Sequence, residues 1–181
     1  MHTKHRCVLD ITSLILLFEF SNIKGGINYK ERFILPRYIY YMIVAFQKQI
    51  PILKSYDFFL AMKEGCLHKF SEDQREDVEL RFKALIDWME QNCDIVTNPA
   101  ILNINNNMNS NPHSKLFQYT FVELMNDGQQ NLVLTEDAYI EKLMNVPLII
   151  ASTESYVYTV EGKELGIAFS DFLIMNHNRY V

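Results

Sequence analysis

The chain predicts an α/β fold, with a central, mostly parallel sheet buried between helices in three α/β/α layers. Three observations carry that expectation. Short, nearly continuous apolar runs alternate with longer segments of helical period, the pattern of parallel strands covered on both faces. Two of those runs, Cys7-Val8-Leu9-Asp10 and Leu132-Val133-Leu134-Thr135-Glu136-Asp137, lead into an acid and then a helical segment. The length of 181 residues, 49% of them hydrophobic, suits one domain with a sizeable core and is short for two. Residues 1–181 are therefore read as a single domain.

The elements follow in order. Residues 5–9 form a short buried strand closed by Asp10, and residues 11–20 turn helical, with Thr12 and Ser13 placed to cap them. Gly25-Gly26 marks a turn over 22–28. Phe33-Ile34-Leu35 is a second strand, closed by Pro36. Pro36 also suits the first turn of a helix over 37–49, where its missing N–H costs nothing. Pro51 breaks the chain before another helical segment over 52–64. Ser71 opens the most clearly marked helix. Gln74 completes a capping box, Glu72, Asp73 and Glu76 suit the positive end of the dipole, and Val78, Phe82, Leu85, Ile86 and Met89 form the inner stripe.

A strand over 93–97 stops at Asn98-Pro99, and a flexible Asn-rich loop occupies 103–114. A helix over 115–125 ends at Asn126-Asp127-Gly128. The strand 131–135 leads into Glu136-Asp137, where a helix begins and runs to Met144. A last strand over 146–151 is closed by Ser152-Thr153-Glu154, and residues 162–177 form a final helix that packs Phe169, Phe172 and Leu173 inward.

Composition narrows the function classes. Cys7, Cys66 and Cys93 are an odd, sparse set without metal-ligand spacing; they fit a reducing cytoplasm and apolar packing rather than a disulfide framework. The apolar stretch 11–18 is short, runs into Glu19 and lacks a cleavage site, so it does not read as a signal peptide, and no stretch is long and clean enough to span a bilayer. The net charge of −5 is unevenly placed, +5 over residues 1–56 and −10 over the rest. The basic part is either a face for nucleic-acid phosphates or a scattered solvated surface. There is no P-loop, dinucleotide fingerprint, Gly-x-Ser-x-Gly elbow or zinc spacing.

In parallel sheets the working site lies at the carboxyl ends of the strands, where the strand order reverses. Asp10 and Asp137 both sit at such ends. Paired carboxylates there make a hard-oxygen site suited to Mg²⁺ or Mn²⁺, and such a metal can activate water against a phosphodiester. Each acid is equally readable as the cap of the helix that follows it.

The segment Cys7-Val8-Leu9-Asp10-Ile11-Thr12-Ser13-Leu14-Ile15 resembles the opening strand of PIN-domain nucleases, in which an apolar run ends in a catalytic Asp followed by a small hydroxyl residue. Leu132 to Ile140 resembles the family's strand ending in Thr-x-Asp, and Leu148 to Glu154 its last strand and small closing helix. Residues 33–43, with Pro36 at the junction, are similar to the intervening segment. The resemblance spans most of the chain in order. It implies a PIN-like fold and a cytoplasmic hydrolase: a metal-dependent ribonuclease acting on single-stranded RNA, in which Asp10 and Asp137 hold Mg²⁺ or Mn²⁺. Thr12 and Thr135 either orient those carboxylates or cap helices. Glu136 adjoins Asp137 at a helix start, and either Ser114 or His113 is available to hydrogen-bond a metal-bound water.

The chain also departs from that pattern. The family carries an acid about two turns into the helix after the Pro-marked junction, where this sequence has Met42. A further Asp opens the family's helix before the Thr-x-Asp strand, where this one reads His113-Ser114-Lys115. Two of four expected acids remain. The second reading is thus a catalytically impaired PIN-like domain that binds RNA, a protein partner or a second copy of itself. A third is an unrelated α/β interaction domain.

Overall fold

The computed structural model describes residues 6–50, 60–61, 67–68, 71–96, 131–136 and 149–177. The chain opens with β1 (Cys7–Leu9), α1 (Ile11–Ile23), β2 (Phe33–Pro36) and α2 (Arg37–Gln49). A two-residue pair, β3 (Leu60–Ala61) and β4 (Leu67–His68), precedes α3 (Glu72–Asn92) and β5 (Cys93–Val96). Then come β6 (Leu132–Leu134), β7 (Ile149–Ala151), α4 (Thr153–Tyr156), a π-helical turn over Val157–Glu161 and α5 (Lys163–His177). The helix expected over 115–125 and, beyond Glu136, the one running from Asp137 to Met144 lie outside the described residues, as does the Asn-rich loop. Among the described residues, no helix is long and apolar enough to cross a membrane.

Five strands form one all-parallel sheet in the order β5-β2-β1-β6-β7, so the fold is α/β as the apolar runs predict. The chain builds outward from β1 through β2 to β5, then continues on the other side of β1 with β6 and β7. The reversal falls between β1 and β6, where Cys7, Val8 and Leu9 lie in register with Leu132, Val133 and Leu134. Parallel strands need crossovers, and α1 supplies the one between β1 and β2.

One local expectation fails. Residues 60–61 belong to an antiparallel pairing with 67–68 and not to a helix over 52–64. The apolar spacing there suits a helix, yet backbone pairing with a neighbouring segment prevails, the usual tertiary override of a short periodic signal. A second difference follows Tyr156. A short helix, α4, does start after Ser152, but the chain then passes into the π-helical turn, which Gly162 ends at φ 124°.

The core is aromatic. Phe33 on β2 meets Tyr29 (5.2 Å between ring centroids), Tyr156 (5.6 Å) and Trp88 of α3 (6.4 Å), while Phe20 of α1 meets Phe169 and Phe172 of α5 at 4.9 and 5.5 Å. These contacts bring α1, α3 and α5 onto one continuous core and explain why α1 carries so few polar residues. Ser71 caps α3 with Gln74 as its capping-box partner, as the sequence pattern requires. At the amino ends of the strands, Asp94 accepts from Arg6 and Arg32, each at 2.7 Å.

Two consequences are measurable. A Cβ on Gly166 would stand 2.6 Å from the Tyr158 Cα, which is backbone and cannot rotate away. Gly166→Ala is expected to lower the thermal unfolding midpoint by about 3–8 °C. The thiols of Cys7 and Cys93 are buried, and burial pushes each up to about 12, with Glu31 and Glu161 adding to the effect at Cys7. In a Cys66→Ser chain, a thiol reagent is expected to react only after unfolding. Because the folded chain holds both protons beyond the ordinary value of 9.0, their stabilisation is complete below that pH. It is expected to drain away as pH rises from 9.0 towards about 12, which alkaline urea titrations would register.

Candidate functional site

The extended backbone of β1 delivers Asp10 to the carboxyl end of its strand, where it becomes the N-cap of α1. Its φ of −83° and ψ of 178° are extended, and its side chain accepts the Ser13 N–H at 2.7 Å. The capping reading of this acid is therefore realised. So is a second role, because β6 lies beside β1 and brings its own strand end to the same place. The Thr135 hydroxyl donates to the Asp10 Oδ2 at 2.5 Å, and the Thr12 hydroxyl bridges both carboxylate oxygens at 2.9 and 2.8 Å. Asp10 is buried, 1% exposed.

The neighbouring groups form a continuous set of contacts. The Glu136 N–H donates to the Thr12 hydroxyl oxygen at 3.3 Å, and the Glu136 carboxylate accepts the Thr153 N–H at 2.7 Å. The Thr153 hydroxyl in turn donates to the Ser13 hydroxyl at 2.9 Å, in a fully buried contact. The first turn of α1, the end of β6 and the start of α4 are thus joined by side chains from Asp10 to Thr153. This cluster lies at the switch point of the sheet, the region where open parallel sheets bind ligands.

The structure brings together Asp10, Thr12, Thr135 and Glu136 of the residues picked out in the sequence. Asp137 and Ser114 lie outside the described residues. Thr153 was missed as a member of the cluster, although the hydroxyl pair Ser152-Thr153 directly after a strand is itself a helix-start signal. Met42, in the place where the resembling family carries an acid, is 40% exposed on α2.

Whether these residues suit a divalent cation can be judged from their donors. Mg²⁺ and Mn²⁺ want several oxygens with free lone pairs around one point. Both Asp10 oxygens are already engaged by protein donors, Glu136 is committed to the Thr153 N–H, and no group of three metal-binding side chains converges among the described residues. The described residues do not fit the metal in this arrangement. No family model, curated protein or solved structure matches the chain.

Proposed function

We propose that the chain is a catalytically impaired, PIN-like domain of three-layer α/β/α build that works by binding a protein partner. The observation that carries this reading is the apolar strip containing Met42. On α2, Tyr41, Met42 and Phe46 are exposed, and the Phe46 ring lies 5.1 Å from that of Phe82 on α3. Phe82 and the exposed Ile15 of α1 line a common groove with Phe18, Val78 and Leu85, bordered by the Glu19–Arg81 ion pair. A strip of apolar side chains crossing three helices is the usual signature of a protein contact. It includes the position at which a nuclease of this kind would need a carboxylate.

RNA is the weaker choice of partner. Arg6, Lys30 and Arg32, three of the eight basic residues of residues 1–56, lie towards the amino ends of the strands, away from Asp10. Arg6 and Arg32 are paired with Asp94, and Lys30 donates to the Val160 carbonyl. Phosphate recognition beside Asp10 would need several cations at the opposite edge of the sheet, where Arg37 opens α2 directly after β2. The position of Asp10 at the switch point, on the strand beside the one leading to Asp137, favours a second reading, the metal-dependent ribonuclease.

Structureless RNA incubated with Mn²⁺ and the purified protein separates these readings, with Asp10→Asn and Asp137→Asn chains alongside. No turnover is expected from any of the three. Mn²⁺-dependent cleavage abolished by both substitutions would establish the ribonuclease instead. Retention of RNA without turnover, weakening with salt, would move the partner from protein to RNA. A photo-crosslinking residue at Met42 or Phe46 is expected to capture a discrete protein that the same residue at Lys83 does not, and Phe46→Asp is expected to abolish that contact.

A further inference from the structure

We infer that the Asp10 cluster is a carboxylate–hydroxyl lock, in which protein donors occupy the lone pairs that a divalent cation would need. The inference deepens the non-catalytic reading above by assigning the retained acid a different task. An ionised carboxylate has about four acceptor sites. At Asp10, Oδ1 takes the Ser13 N–H, Oδ2 takes the Thr135 hydroxyl, and the Thr12 hydroxyl hydrogen lies between the two oxygens. With the residue 1% exposed, the carboxylate in this arrangement is turned to protein donors and away from solvent.

The charge is also balanced without a cation. In a cluster of carboxylates, like charges repel, and a metal or a shared proton must offset them. Asp10 instead sits at the N-terminus of a 13-residue helix, whose dipole presents positive charge, and it collects charge-assisted hydrogen bonds from three residues. The donors are held in turn. Thr12 is fixed by the Glu136 N–H, Glu136 by the Thr153 N–H and Ser13 by the Thr153 hydroxyl. Swinging a hydroxyl aside to admit a metal would loosen α1 from β6 and α4 together.

A lock and a cation site predict stability changes of opposite sign. Neutralising one acid of a metal cluster relieves repulsion and stabilises the metal-free chain, while the metal itself raises the unfolding midpoint. Neutralising the acid of a lock removes its charge-assisted bonds and places an amide N–H against a donor.

Thermal unfolding of the full chain after chelation, then with excess MnCl₂, reads the difference in the wild type, Asp10→Asn, Thr135→Val and the double variant. Asp10→Asn is expected to lower the midpoint by about 5–10 °C and Thr135→Val by about 2–6 °C. The double variant is expected to lose less than the sum, the mark of direct coupling. Mn²⁺ is expected to move none of the midpoints. A higher midpoint in Asp10→Asn, additive losses, or a saturable Mn²⁺-dependent rise in the wild type would each overturn the lock. Should Asp10→Asn fail to fold, Thr135→Val and the wild-type Mn²⁺ titration decide on their own. Absence of a protein partner would leave these shifts untouched, so the two ideas fail separately.

Discussion

A buried carboxylate is costly unless its charge is met by donors, and at Asp10 that requirement organises the centre of the molecule. The acid ends β1, starts α1 and reaches across to β6, so one side chain belongs to three elements at once. Hydrogen bonds to a charged group contribute about 1.5–3 kcal/mol each, more than neutral ones, and these lie where the strand order reverses. Around them the backbone of β1 and β6 is tied by Leu132 N–H to the Arg6 carbonyl at 2.9 Å and Asp10 N–H to the Leu134 carbonyl at 3.3 Å. The two wings of the sheet, β1 with β2 and β5 on one side and β6 with β7 on the other, meet at this seam.

The opposite end of the sheet is polar in a different way. Asp94 there joins Arg6 and Arg32, and the carboxylate of Glu161 accepts the Lys30 N–H and the Tyr156 hydroxyl. Asp94, Arg6 and Arg32 are each more than 40% exposed, so water screens their attraction and they align the strands more than they stabilise them. Glu161 reaches its partners because the π-helical turn places it there, and Gly162 then lets the chain re-enter a regular helix. Between the two polar ends runs the aromatic core, which supplies most of the apolar burial.

Much of this was legible in the chain itself. The strand ending at Asp10, the Pro36 junction, the Ser71–Gln74 capping box and the inward Phe169 and Phe172 all stand where short-range pattern puts them. Each depends on residues within one or two turns of one another, so the sequence displays cause and effect side by side. Residues 60–61 and the π-helical turn were not legible. Pairing of 60–61 with 67–68 depends on a partner that periodicity does not name, and a π turn differs from an α turn by a single shifted hydrogen bond.

For the candidate site, the sequence by itself determined which residue types stand at the strand ends: an acid and hydroxyls after β1, a threonine and an acid after β6. It also left Asp10 with two readings, cap or ligand, because a carboxylate followed by Thr-Ser suits both. Only the tertiary structure decided how Asp10 is engaged. The parallel register of β1 with β6 carries Thr135 across 125 positions of chain to a carboxylate that local sequence had already pointed at Ser13. No local pattern encodes such a contact, since the strand order that makes it arises from how the whole sheet packs.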